Sequence, residues 1–142
     1  MAAPTKNQTR SAAMRKLDRA FSLYIRTRDS QEFEGRQFRC ISCGRILPIA
    51  QADAGHYINR THMSLRYSED NVHAQCRRCN RFDEGNMVGY RQGLIDKIGE
   101  QRLMLMEAQK YAKHKLSVAE LLILADHYKQ MTKQFKYQIN GD

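Results

Sequence analysis

Two closely spaced pairs of cysteines constrain the fold of this chain more than any other feature of its sequence. Cys40 and Cys43 form the first pair, Cys76 and Cys79 form the second, and residues 44–75 separate them. Because two intervening residues let both thiolates reach one ion, two such pairs can complete a tetrahedral four-cysteine site for Zn²⁺. Four thiolates leave no open position for water, so we expect a structural zinc that pins a small core. The alternative is four free buried thiols, which would require two matched pairs by coincidence.

The chain carries a large excess of positive charge. Its 24 Lys and Arg residues outnumber its 15 Asp and Glu residues, for a formal net charge of +9. An excess of this size favours a polyanionic partner such as DNA, since each phosphate contact releases a condensed counterion. A basic soluble protein without such a partner would have the same composition, because net charge governs association rather than fold.

The sequence shows no pattern typical of membrane insertion or secretion. No stretch approaches the ~20 apolar residues that cross a bilayer, and residues 1–6 lack an apolar signal core. We therefore expect no membrane partner and a cytoplasmic location, where thiols stay reduced and bind metal rather than form disulfides.

Hydrophobic periodicity predicts helices on both sides of the cysteine-bearing segment. Apolar residues recur at helical spacing in three stretches: 11–28, 87–98 and 103–111. A capping-box pattern, with Ser117 three residues before Glu120, begins a final helix. The apolar stripe of that final helix is typical of a core face, although it would also suit the interface of a homodimer.

The cysteine-bearing segment itself predicts two short strands followed by a helix. Residues 46–49 and 55–58 are typical of strands, and a helix is expected at 74–80. Pro48 places the first strand at a sheet edge or in a loop. We therefore predict an α+β fold with three segments: a basic arm and helix at 1–35, a small zinc-stabilised ββα core at 36–86, and a helical region at 87–142.

A histidine and an asparagine accompany the cysteines. His56 lies between the two pairs, and Asn80 directly follows the last cysteine. Imidazole is a general base near neutral pH, and an amide oxygen suits Mg²⁺ or Mn²⁺, which stabilises the charge that develops in phosphodiester cleavage. A lone histidine is more often a core residue, but this pattern indicates a second, catalytic metal site in an enzyme that acts on nucleic acid.

Several runs around these residues carry a family resemblance. They are Ala-Gly-His-Tyr-Ile-Asn-Arg at 54–60, Leu-Arg-Tyr at 65–67, Asn-Val-His-Ala-Gln-Cys at 71–76 and Cys-Asn at 79–80. With the cysteine spacing, they make the chain resemble the NinG (Rap) recombination proteins of lambdoid phages, and more broadly the four-cysteine form of HNH, or ββα-metal, nucleases. The resemblance covers roughly residues 15–100.

The resemblance implies an HNH-type endodeoxyribonuclease in the cytoplasm of the bacterial host. Such an enzyme is metal-dependent and structure-specific, and it cuts branched recombination intermediates such as D-loops and Holliday junctions. It also implies residue roles. His56 corresponds to the general base, Asn71 holds that base through backbone hydrogen bonds, and Asn80 is a ligand of the catalytic Mg²⁺ or Mn²⁺.

The second ligand of the catalytic metal stays open at this point. Many HNH sites have Asp or His immediately before the base, whereas this chain has Gly55. Asp53 and His73 are the candidates. An extended strand displaces Asp53 by roughly 10 Å from the base, so we slightly favour His73.

Five arginines around the proposed site are candidate DNA contacts: Arg60, Arg66, Arg77, Arg78 and Arg81. The guanidinium fork matches phosphate oxygens, so we expect these residues to bind the backbone rather than read bases. Two other functions remain open. The chain could be a zinc-stabilised DNA-binding recombination accessory protein without catalysis, or an HNH nuclease that acts on linear duplex.

Overall fold

A capping box begins the longest helix in the computed structural model, which describes residues 2–140. The Thr5 hydroxyl accepts the backbone N–H of Gln8 at 3.1 Å, and the Gln8 side chain accepts the N–H of Thr5 at 2.8 Å. These two bonds satisfy amides that would otherwise lack partners at the start of a helix. Helix α1 therefore spans Lys6–Ser30 and begins earlier than the apolar spacing at 11–28 predicts.

Two antiparallel strand pairs carry the cysteines. β1 (Gln37–Arg39) and β2 (Ile46–Pro48) form a hairpin around the first cysteine pair. β3 (Ala52–His56) and β4 (Val72–Cys76) form the second strand pair, and β4 ends at Cys76, the first residue of the second cysteine pair. The α+β class predicted from the sequence is therefore confirmed. β2 and β3 lie at or near the two predicted strands, whereas β1 and β4 were not predicted.

Strand β4 replaces the first three residues of the helix predicted at 74–80. Its backbone pairs with β3 from Val72, opposite His56, to Cys76, opposite Ala52. All five of its residues are buried, and a strand buried on both faces lacks the polar alternation by which strands are recognised. The helical part is a single π-helical turn, Arg78–Phe82, which we call the π-turn.

Three of the remaining helices follow largely as predicted: α3 (Met87–Ile98), α4 (Glu100–Ala108) and α5 (Val118–Lys133). The short α2 (Met63–Arg66) lies in a segment for which the sequence predicts an irregular connection. Ser117 and Glu120 form the predicted capping box, with both hydrogen bonds at 3.1 Å. Helix α4 begins and ends earlier than the predicted 103–111. Gly99, at φ +88°, ends α3 and lets the chain turn directly into α4.

The two faces of the β3–β4 pair are covered by different elements. Because side chains alternate along a strand, Ala54 and His56 lie on one face, and Asp53 and Gly55 lie on the other. Ala54 packs against the core between α1 and α5, whereas Asp53 contacts the π-turn. The strand that carries the proposed base therefore lies between helix α1 and the π-turn.

The apolar stripe of α5 belongs to the largest hydrophobic core. Leu121 is fully buried and Tyr128 is 8% exposed, and both pack against α1 together with Phe21. Val72 of β4 joins the same core. A homodimer would need a different surface, and it stays a prediction. Among residues 2–140, no helix combines the length and apolar character needed to cross a membrane.

Candidate metal centre and active site

The four cysteine sulfurs form a compact cluster. All four Sγ atoms lie within 4.8 Å of one another, and the Sγ atoms of Cys43 and Cys76 are 3.9 Å apart. With Zn–S bonds near 2.3 Å, the edge of a tetrahedral site is about 3.8 Å. The backbone amides of Cys76 and Cys79 donate to Cys40 Sγ and Cys76 Sγ at 3.3 and 3.4 Å. The cluster can therefore hold a metal ion such as zinc, as the cysteine spacing predicts.

The cluster joins the two strand pairs and supports helix α3. Cys76 ends β4 and thereby links the cluster to the second strand pair. Burial raises the pKa of the Cys79 thiol to about 12, because a buried thiolate is poorly solvated. A bound dication would offset this cost of forming the thiolate, since metal ligation deprotonates the thiols. Helix α3 packs directly on the first cysteine loop, because a side chain at Gly89 or Gly93 would overlap the carbonyl oxygen of Ser42 or Ile41.

His56 is held in one tautomer by a backbone carbonyl. Its Nε2 lies 2.9 Å from the carbonyl oxygen of Arg66. A carbonyl only accepts hydrogen bonds, so Nε2 carries the proton and Nδ1 keeps a lone pair. No hydrogen bond within residues 2–140 engages that Nδ1. Burial lowers the pKa of His56, and the nearby Arg60 and Arg66 lower it further, so the ring is neutral at pH 7 and can accept a proton.

Asn71 clamps the backbone on either side of the loop that follows His56. Its buried Oδ1 accepts the N–H of Ile58 at 2.8 Å, and its Nδ2 donates to the carbonyls of Ile58 and Leu65 at 2.9 and 3.0 Å. These bonds fix the chain just after His56 and just before Arg66, whose carbonyl holds the imidazole. Asn71 therefore makes backbone hydrogen bonds of the kind that the family resemblance implies, and its role beside a catalytic base stays a prediction.

Asn80 contacts Asp53 rather than His56. Its Nδ2 donates to Asp53 Oδ2 at 3.0 Å, and Arg81 donates to both carboxylate oxygens at 2.9 and 2.8 Å. Strand alternation places residues 53 and 56 on opposite faces of β3, and no hydrogen bond among the described residues joins His56 to Asn80. The strand geometry therefore places Asn80 with Asp53, on the face of β3 opposite His56.

His73 has no nitrogen left for a metal. Its Nε2 lies 3.0 Å from the Asp70 carbonyl oxygen, and its Nδ1 accepts from Arg28 at 3.1 Å and Lys97 at 2.9 Å. Burial lowers the pKa of His73 to about 3, with Lys97 and Arg28 contributing, so the ring is neutral. The slight preference for His73 as the second ligand of a catalytic metal is thus reversed in favour of Asp53.

The five candidate arginines separate into three environments. Arg60 and Arg66 lie with His56, whereas Arg81 is paired with Asp53. The other two lie on the surface of the protein: Arg77 donates to the Ala50 carbonyl at 2.8 Å, and Arg78 lies 3.7 Å from Asp83. These five residues therefore do not form one patch.

A basic cavity of about 440 Å³ surrounds His56. Arg60 lines it from the loop after β3, and Arg66 lines it from the end of α2. Sequence reasoning missed the residues that line it from α1: Arg15, Asp18, Arg19 and Arg26. Arg66 donates to Asp18 through Nε at 3.0 Å and Nη2 at 2.6 Å, so its guanidinium builds the wall of the cavity while its carbonyl orients the imidazole. No local spacing links helix α1 to residues 56–66, and only the fold brings them together.

Comparison with known proteins identifies relatives over nearly the whole chain. The family described as bacteriophage lambda NinG protein matches residues 4–138. The protein ninG of Escherichia phage 933W is 36% identical over 128 residues, and those of Escherichia phage lambda and Salmonella phage P22 are each 35% identical over 128 residues. These alignments cover 89% of this chain and 60%, 59% and 59% of the relatives, so the chain spans about three fifths of their length. No solved structure was found to match.

Proposed function

The chain belongs to the NinG family of phage proteins, and from that premise we propose that it is a metal-dependent DNA endonuclease with His56 as its general base. The observation that carries the proposal is the setting of His56. Its Nε2–H is bound by the Arg66 carbonyl, its Nδ1 lone pair is available, and five arginines line the cavity around it. A neutral imidazole among guanidinium groups is suited to take a proton from water beside a bound phosphate.

The open edge of β3 is the proposed place for the scissile phosphate. Among the described strands, β3 pairs only with β4, so its other edge has no strand partner. His56 lies on one face of β3, and Asp53 with Asn80 lies on the other. A DNA backbone that follows this edge passes between the two faces. The separation of His56 from Asn80 is then compatible with a joint role on one phosphate.

Asp53 and Asn80 are the residues that would hold the catalytic cation. A carboxylate and an amide oxygen are ligands suited to Mg²⁺ or Mn²⁺, and such a cation, when bound, stabilises negative charge on the phosphate. Asn80 contacts Asp53 through Nδ2, and no hydrogen bond in the described part of the chain engages its Oδ1. Arg81 pairs with Asp53, but its side chain is 53% exposed and can turn from the carboxylate to a phosphate oxygen.

The proposed substrate is branched DNA, such as a D-loop or a Holliday junction. This part of the proposal rests on the family resemblance. The cavity itself favours recognition of the phosphate backbone, since its charged lining can bind phosphates without reading bases.

The test is cleavage of matched branched and linear DNAs by the wild-type chain, His56→Ala and His114→Ala, with Mg²⁺, Mn²⁺ or EDTA. His114 is exposed, so its variant controls for loss of a histidine. We expect cation-dependent cleavage of branched DNA, no change in His114→Ala, and a loss of about 10²–10⁴-fold in His56→Ala. Cleavage by His56→Ala at the wild-type rate would exclude this residue as the base.

A non-catalytic zinc-stabilised DNA-binding accessory protein is the second candidate. It is favoured by the bidentate contact of Arg81 with Asp53, which fills the proposed metal site with a cation of the chain itself. Binding of branched DNA without cleavage under any cation would establish it. Equal cleavage of branched and linear DNA would instead identify an HNH nuclease that acts on duplex.

A further inference from the structure

A second basic depression lies next to the His56 cavity, between helices α1 and α5. We call it the α1–α5 groove, and its volume is about 750 Å³. Helix α1 contributes three cationic residues to its lining and helix α5 contributes two: Lys16, Arg19, Arg26, Lys129 and Lys133. Asp126 is the carboxylate in the lining. The groove is thus strongly positive, although it lies outside every motif that the sequence analysis singled out.

Four of the five cations in this groove form no ion pair in the described part of the chain. Within residues 2–140, no ion pair includes Lys16, Arg19, Lys129 or Lys133, and all four residues are exposed. By contrast, Arg66 in the neighbouring cavity is bound by Asp18 at 2.6 Å. Positive charge that the protein leaves unpaired in a concave surface raises the local concentration of a polyanion.

The groove and the cavity lie side by side at helix α1. Arg19 and Arg26 line both of them, so no other element separates the two. On α5, Lys129 and Lys133 are four residues apart, which places them on one face of the helix, about 6 Å apart along its axis. A charged path therefore leads from His56 over α1 to the last turns of α5.

We propose that the α1–α5 groove binds a second stretch of the nucleic-acid backbone, which continues out of the His56 cavity. This inference rests on the proposed function, since it extends the same substrate path. A concave groove can receive a strand but cannot lie flat against a membrane surface. The two arginines that the groove shares with the cavity favour one long phosphate backbone over a separate acidic protein. The helices on either side of the cysteine-bearing core then supply a contact surface that the core lacks.

The experiment compares Lys129→Ala/Lys133→Ala with Lys113→Ala/Lys115→Ala. The second pair lies in the exposed segment before α5, outside the groove, and loses the same charge. Both doubles are made in the full chain with His56→Ala, so that labelled branched and linear DNAs stay intact. Fluorescence anisotropy gives the dissociation constant from 50 to 200 mM salt, and circular dichroism checks folding.

We expect the groove double to bind more weakly and to lower the slope of log K against log salt by about 1.8 for duplex arms, from two lost phosphate contacts. The Lys113/Lys115 double should keep the parental slope. An unchanged slope in the groove double, or an equal fall in the two doubles, would overturn the groove contact while leaving the His56 site intact. Absence of DNA binding by the His56→Ala parent would instead count against the proposed function itself. Loss of binding to anionic vesicles but not to DNA would assign the groove to membranes.

Discussion

Replacement of Asp29 should destabilise the chain more than any exposed charge change, because this carboxylate joins α1, β4 and α3 in a buried network. Arg28 donates to Asp29 at 2.8 and 3.2 Å, Lys97 donates at 2.9 Å, and the backbone N–H of Ala74 donates at 2.7 Å. The Asp29 side chain is only 7% exposed. Asp29→Asn would remove the negative charge and leave two cations facing an amide.

The expected loss follows from this geometry. Breaking a buried ion pair by removing one partner costs about 3–5 kcal/mol. The lower end applies here, since the Lys97 side chain is 41% exposed and can move toward water. With a urea m-value of about 2 kcal/mol/M, a loss of about 3 kcal/mol shifts the unfolding midpoint by about 1.5 M. Asp96→Asn is the matched control on α3, because Asp96 is exposed and accepts a hydrogen bond from the neutral Gln92 side chain.

Urea unfolding followed by circular dichroism, with zinc present, measures both variants. Burial alone would raise the pKa of Asp29, but Arg28 and Lys97 hold it well below its ordinary value. A lowered carboxyl pKa stabilises the fold above the unfolded pKa of about 3.9, and this contribution is lost as pH falls. The difference between wild type and Asp29→Asn should thus be constant from pH 5 to 7 and shrink below pH 4. A midpoint shift no larger than that of Asp96→Asn, or a difference that grows on acidification, would refute this reasoning.

Two further substitutions test the metal centre and the packing of β3. Cys76→Ser should lose its bound metal and its cooperative unfolding, since Cys76 ends β4 and its sulfur belongs to the cluster. A metal-binding dye measures the bound metal and thermal melts measure the unfolding. A folded, zinc-loaded variant would contradict this prediction. Gly55→Ala should cost about 1–3 kcal/mol, because its new Cβ would overlap Oε1 of the buried Gln75. Combining it with Gln75→Ala should relieve that overlap, and strictly additive losses in urea unfolding would show that the two sites are uncoupled.

The features that the sequence predicts well are those with local spacing. The cysteine pairs, the Ser117–Glu120 capping box and the end of α3 at Gly99 each depend on residues a few positions apart, and each is present. Asn71 is a different case. Its clamp on Ile58 bridges a loop, so only the family resemblance pointed to it.

The features that the sequence does not predict depend on distant contacts. Strand β4 lacks a strand signature because both of its faces are buried. The apolar spacing in helix α1 predicts a helix with one face in the core and a polar outer surface. Nothing in its own sequence indicates that Arg15 and Arg19 face the loop after His56, or that Asp18 binds Arg66. The preference for His73 failed for a related reason, since its partners, Arg28 and Lys97, come from elements far apart in the chain.

The structure shows where the positive charge of the chain lies, which its composition does not. A net charge of +9 is equally compatible with a solvated surface and with a nucleic-acid site. In the folded chain, several cations near the core are paired with carboxylates, such as Arg28 with Asp29 and Arg81 with Asp53. Within residues 2–140, Lys16, Arg19, Lys129 and Lys133 of the α1–α5 groove belong to no such ion pair, so a part of the uncompensated positive charge lies next to the His56 cavity. A phosphate backbone that leaves the His56 cavity over helix α1 would meet this charge, as the proposed contact requires.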